Sequence, residues 1–137
     1  MSSQTPNRHG RSRGAALMEF ALGFLTFILL IMGLMELGRA VWTYTTIAEA
    51  ARQGARYAMA HGSTDPVTND QITSVVQANA VGLDPNALRV STSWTPDNER
   101  GGTVQVRVQY PFQFVTPWIA SISAITMGST SRMIIAN

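Results

Sequence analysis

A continuous apolar segment near the amino terminus constrains this 137-residue chain more than any other feature. Residues Phe20–Met35 contain no charged side chain. A helix needs about 20 predominantly apolar residues to cross a bilayer core. Ala15–Met18 on one side and Leu37–Val41 on the other extend the apolar stretch to that length. The stretch spans a bilayer if Glu19 lies at one membrane interface and Glu36 at the other. The rest of the chain is too short to cover such an apolar helix, so we predict a transmembrane helix over about residues 17–38.

The charges that flank this segment predict its orientation. Arg8, Arg11 and Arg13 precede it with no acidic residue among them. Since an excess of Arg and Lys favours the cytoplasmic side, the amino terminus is expected in the cytoplasm. A secretory signal would have a shorter apolar run that ends in small residues, and this run continues into helix-forming sequence instead. Residues 1–14 therefore form a polar, basic leader, which we expect to be unstructured.

The same helix is predicted to continue to His61, giving one long helix over residues 15–61. Proline is absent from Leu37 to His61 and alanine is abundant, which favours helix. Apolar and small residues recur there at alternating steps of four and three, as one helical stripe. The stripe comprises Leu37, Val41, Tyr44, Ala48, Ala51, Ala55 and Ala58. Gly54 belongs to a neighbouring row with Ala50 and Ala58, whose small size permits close approach of another element. We expect these residues to pack against partner helices or the chain's own domain.

Residues 62–137 have the pattern of a small α+β domain. A short helix is predicted over Gln71–Val81, with Asp70 as its N-cap. Apolar and polar residues alternate over 88–95 and again over 104–110, which predicts two strands joined by a turn at 97–102.

The end of the chain carries weaker signals. Pro111 either ends the ladder pairing of the second strand or marks a sheet edge. A helical turn is predicted over residues 116–123, and a last strand over 127–136. The expected fold is α+β: a long amino-terminal helix packed on a small antiparallel sheet with one short helix.

Composition argues against catalysis and against several kinds of ligand. The chain contains no cysteine and two histidines, His9 in the leader and His61 at a predicted helix end. We find no catalytic constellation or metal-ligand set and expect no cofactor. The net charge is +2, without the basic stripe in the sequence that nucleic-acid binding calls for. We therefore predict no nucleic-acid partner and no small-molecule substrate.

The most specific motif lies where the leader meets the apolar helix. Gly14 closes the leader, and the lone carboxylate of Glu19 follows five residues later. An acidic side chain in mid-bilayer costs about 2.5–3.5 kcal/mol on insertion scales. Cleavage after Gly14 would give Ala15 a free amine, which is protonated at neutral pH because its usual pKa is about 7.7–8.0. That amine could pair with Glu19 of the same chain or of a neighbour. The alternative is that Glu19 simply reaches the lipid headgroups.

These features resemble the precursors of type IV pilins and pseudopilins. The Glu19-Phe20 pair looks like the tight-adherence (Tad, or Flp) branch. The sequences AARQGARYA at Ala50–Ala58 and VQVRVQYPF at Val104–Phe112 are similar to TadE-like minor pilins. The resemblance extends from Gly14 to about Arg132.

The resemblance implies a role in assembly. A prepilin peptidase would cut between Gly14 and Ala15, and Glu19 and Phe20 would form the peptidase and assembly motif. The implied partners are the membrane, that peptidase, other pilins and Tad assembly proteins. The implied role is in pilus assembly, surface adherence and biofilm formation. The implied location is the bacterial inner membrane, with the carboxy-terminal domain in the periplasm. The alternative is an uncleaved, single-pass membrane-anchored scaffold or sensor.

The leader motif generates a direct prediction. We expect Gly14→Arg to block cleavage, because the peptidase must accommodate a residue without a side chain at this position. The intact mass of the protein from membranes of its own host should then include residues 1–14. A variant whose mature mass equals that of the unmodified protein would contradict this prediction.

Overall fold

The computed structural model describes residues 9–61, 65–115 and 124–135. Its elements in chain order are α1 (His9–Ala60), α2 (Asn69–Asn79), β1 (Arg89–Thr95), β2 (Thr103–Gln113) and β3 (Ala124–Ile134). The α+β class is confirmed: a long amino-terminal apolar helix, a short helix and a three-stranded antiparallel sheet. The predicted helical turn at 116–123 lies outside the described residues.

The chain divides into two compact units, Met1–Leu37 and Gly38–Asn137. In the first unit, α1 already includes residues 9–14, so the prediction of an unstructured leader is wrong for these residues. Arginine is a good helix former and no proline follows Pro6 in the leader, so nothing there ends the helix. From Gly14 onward α1 is long and apolar enough to cross a membrane, and its most apolar window has no buried residue. Such a helix suits a single-pass anchor or a signal sequence.

The second unit contains α2, whose start differs from the prediction. Thr68, not Asp70, is the N-cap. The Thr68 hydroxyl accepts a hydrogen bond from the Gln71 backbone N–H at 3.3 Å, and the Gln71 side chain accepts one from the Thr68 N–H at 2.9 Å. This reciprocal pair satisfies two backbone donors that one aspartate could not satisfy alone. Asp70 lies in the first turn instead, where a negative charge complements the helix dipole.

The sheet has the order β1-β2-β3, with both pairs antiparallel. The predicted alternation is confirmed, since Val104, Val106 and Val108 of β2 are fully buried. Strand β3 begins at Ala124 and ends at Ile134, a few residues earlier than predicted at each end.

Pro111 lies inside β2, opposite Thr126 of β3. On the other side of β2, the β1 ladder ends where Gln109 faces Arg89. From Tyr110 onward β1 no longer pairs with β2, so this side of β2 is a sheet edge. This confirms the second of the two expectations for Pro111, a position at a sheet edge.

The core of the second unit lies where α1, α2 and β2 meet at Gly54. A Cβ atom at Gly54 would lie 2.6 Å from Val76 Cγ2, 3.4 Å from Val106 Cγ1 and 3.6 Å from Ile72 Cγ2. Each of these three neighbours is fully buried. The residue without a side chain therefore lets a helix and a strand both approach the α1 backbone. Ala50, Ala51, Ala55 and Ala58 surround it and are also fully buried.

This packing predicts opposite effects for two glycine substitutions in α1. Gly54→Ala should lower the free energy of unfolding by up to about 2 kcal/mol. Overpacking of about 1–3 kcal/mol against a β-branched valine outweighs the roughly 1 kcal/mol that alanine gains in a helix. Gly38→Ala meets no atom within 4 Å and should be neutral or stabilising. Urea unfolding of the full chain in detergent, followed by tryptophan fluorescence, measures both. A stabilising Gly54→Ala would contradict the close approach.

Candidate functional site

The predicted processing motif lies on an exposed stretch of α1. A Cβ atom at Gly14 would meet nothing within 4 Å. Leu17, Met18 and Phe20 are 69%, 67% and 71% exposed. The Phe20 ring stacks on that of Phe24, with the centroids 6.0 Å apart. The described structure therefore leaves the motif open to a membrane or another protein.

Glu19 is exposed, and no other residue in the described part of the chain forms a hydrogen bond or ion pair with it. Ala15 lies four residues earlier on the same helix. Positions four apart are neighbours on one helical face, so an amine at Ala15 could reach this carboxylate. The geometry thus permits pairing within the chain after cleavage. It equally leaves the carboxylate available to a second subunit.

The predicted packing residues fall into two groups. Ala51, Gly54, Ala55 and Ala58 are buried in the core of the second unit, and Ala48 is half-buried. The other three, Leu37, Val41 and Tyr44, are 61%, 56% and 53% exposed.

The three exposed residues are the amino-terminal members of the stripe, and the buried members lie further along α1. Whether the exposed part packs against a partner stays a prediction.

Two residues that the predicted stripe does not include continue the buried face towards the amino terminus. Ile47 is fully buried and Thr43 is 4% exposed. Their spacing of four, continued to Ala50 and Ala51, is a helical signal that could have identified them. Trp42, one residue before Thr43, lies beside Gly82, where an added Cβ atom would be 2.7 Å from the indole.

A cleft of about 390 Å³ opens beside this part of α1. Arg39 lines it, with the guanidinium carbon 5.0 Å from the centroid of the Phe112 ring. Arg39 also donates to the Gln113 carbonyl at 3.5 Å, a long contact. A cation over an aromatic face is attracted by the ring quadrupole, so this pair ties α1 to the end of β2. In residues 9–61, 65–115 and 124–135, no three His, Cys, Asp or Glu side chains are grouped to hold a metal ion.

The solvent face of α1 carries a small polar network around Glu49. Gln53 Nε2 donates to Glu49 Oε1 at 2.7 Å, and Arg52 Nε donates to Glu49 Oε2 at 3.0 Å. The hydrogen bond from Gln53 and then that from Arg52 lower the pKa of Glu49 below its usual value. Both donors stabilise the ionised form. The network is exposed, so its role is to keep this face solvated and helical.

The network predicts a pH dependence with a defined sign. Because the folded-state pKa of Glu49 is lowered, its contribution to stability is present above the unfolded-state pKa and is lost as pH falls through the folded-state value. Gln53→Leu should raise the pKa of Glu49, measured by NMR titration of its side chain. Gln113→Leu, at an exposed position distant in sequence, is the control and should leave the titration unchanged. An unaltered Glu49 titration in Gln53→Leu would contradict the assigned cause.

Comparison with known proteins gives one match. A family model described as TadE-like protein matches residues 14–56. The match begins at Gly14 of the predicted processing motif, covers the exposed apolar helix and ends two residues after the buried Gly54. No curated protein and no solved structure matches the chain.

Proposed function

Because the chain belongs, over residues 14–56, to the TadE-like protein family, we propose that it is a minor pilin or pseudopilin needed to assemble a Tad/Flp-type pilus. The family is generally non-enzymatic, and the proposed role is assembly rather than turnover. Through the pilus, the protein would contribute to surface adherence and biofilm formation.

The observation that carries this proposal is the position of Glu19. It is a carboxylate near the start of an exposed apolar helix, without a partner among the described residues. An uncompensated charge in a membrane is costly, so such residues are usually functional. The preceding Gly14 and basic leader supply the context of a peptidase site. The motif falls inside the family match.

The proposed mechanism proceeds in two steps. A prepilin peptidase removes residues 1–14 on the cytoplasmic side and leaves a protonated amine on Ala15. The amine of one subunit then pairs with Glu19 of the same or an adjacent subunit, which fixes the register between helices. The exposed residues Leu37, Val41 and Tyr44 would add apolar contact to the neighbouring helix, while the periplasmic domain stays attached to α1 through Gly54.

The alternative is a single-pass scaffold or sensor that is never cleaved. One feature favours it: α1 runs from His9 through Gly14 without a break, so the proposed scissile bond lies inside a helix. The amino-terminal residue of the protein from host membranes separates the two functions. A chain that starts at Ala15 supports the pilin. A chain that retains Met1 or Ser2 supports the anchor.

Glu19→Ala tests the assembly role. A hydrogen bond to a charged group contributes about 1.5–3 kcal/mol, so we expect incorporation into sheared pilus fractions to fall at least about tenfold. The amount of protein in the membrane should change little. Glu36→Ala removes an acid from the other end of the same apolar segment and is the matched control, expected to assemble normally. Normal incorporation of Glu19→Ala would refute the role of this carboxylate.

A further inference from the structure

The register of the sheet brings three arginines into one diagonal line on its outer face. Arg89 of β1 faces Gln109 of β2, two positions along β2 from Arg107. Arg107 in turn faces Thr130 of β3, two positions along β3 from Arg132. From each arginine to the next, the line moves to the adjacent strand and two residues along it. Diagonal neighbours of this kind lie about 7–8 Å apart, so the line spans roughly 15 Å.

The face around this line contains no acidic side chain. All three arginines are exposed. The other residues that the register places on the same face are uncharged: Ser91, Ser93, Thr95, Thr103, Gln105, Gln109, Pro111, Gln113, Ala124, Thr126, Gly128, Thr130 and Ile134. Within the described part of the chain, no ion pair involves any of the three guanidinium groups. Three like charges thus share a surface with no nearby charge of opposite sign on that face.

The local contacts leave the arginines able to bind a ligand. Arg132 Nε donates to the side-chain oxygen of Gln105 at 2.6 Å, which fixes its side chain. Since a guanidinium has five N–H donors, four remain for an anion. Two shallow grooves of about 360 Å³ each lie at opposite ends of the face, one lined in part by Arg89 and the other by Arg132. A chain-like ligand could follow the line and extend into both grooves.

We propose that the outer face of the sheet, defined by Arg89, Arg107 and Arg132, binds an acidic polysaccharide. The planar guanidinium matches a carboxylate with two parallel hydrogen bonds. The serine, threonine and glutamine side chains beside the line supply donors and acceptors for sugar hydroxyls. A linear polymer with repeated carboxylates complements a line of single, spaced positive charges. Glu19 belongs to the other unit of the chain and is not one of the residues of this surface, so the proposal does not depend on pilus assembly.

The composition of the face argues against nucleic acid, another protein or a membrane surface as its ligand. Single-stranded nucleic acid is usually held by several aromatic side chains that stack on successive bases. No residue that the register places on this face is aromatic, and Tyr110 is the one aromatic residue that lines either groove. A protein interface has an apolar core, whereas Pro111 and Ile134, at opposite ends of β2 and β3, are the apolar residues larger than alanine among those placed here. Insertion at a membrane surface would likewise require a broad apolar face.

The test measures binding of full-length protein in non-ionic detergent to immobilised polygalacturonate. Neutral dextran and single-stranded DNA serve as comparison ligands. The face variant is R89Q/R107Q/R132Q. The matched control is R52Q/R56Q/R100Q, which removes the same charge at three exposed positions elsewhere in the second unit. Circular dichroism and the thermal unfolding midpoint establish that both variants are folded.

We expect the unmodified protein to bind polygalacturonate and not dextran, with affinity that falls as salt is raised. The face variant should bind at least about tenfold more weakly, because exposed ion pairs each contribute up to roughly fivefold in affinity. The control variant should bind within about twofold of the unmodified protein. Equal losses in both variants would show attraction by net charge alone and overturn the proposal. Absence of polygalacturonate binding, or tighter binding of single-stranded DNA with the same loss in the face variant, would also overturn it.

Discussion

The close contact of α1 with α2 and β2 at Gly54 is the interaction on which the second unit depends. A three-stranded sheet with one short helix has little apolar surface to bury, and small sheets need a packed face for stability. The carboxy-terminal half of α1 supplies that face, and Val76 and Val106 approach it because residue 54 has no side chain. A long amino-terminal helix is therefore also a structural layer of the domain that follows it.

This arrangement determines what the sheet exposes. Since α1 and α2 cover one face, every second residue of each strand turns towards solvent. Those outward residues are mostly polar, and their charges are all positive. The polar outer face is a consequence of the same alternation that builds the valine row of β2. Packing on one side and the proposed glycan surface on the other thus arise from a single strand pattern.

Much of the fold was predictable because its signals are local. The apolar run of α1, the alternation in β1 and β2 and the turn between them each depend on residues close in sequence. The N-cap of α2 was not predictable, because Asp70 and Thr68 both have side chains that cap helices well. The choice was decided by Gln71, whose side chain can return a hydrogen bond to Thr68 alone. The sequence pattern also could not distinguish the exposed members of the α1 stripe, such as Leu37 and Val41, from its buried members, such as Ala51 and Ala55.

The sequence by itself determined the α+β class, the membrane-compatible helix and the Gly14–Glu19 motif, since each depends on composition and spacing along a continuous stretch. Only the tertiary structure decided which residues of α1 are buried, because helix phase relative to the domain depends on non-local contacts. It also decided that Arg89, Arg107 and Arg132 form a line. Scattered along the sequence, they show no basic stripe, and strand register, a long-range property, brings them onto one face.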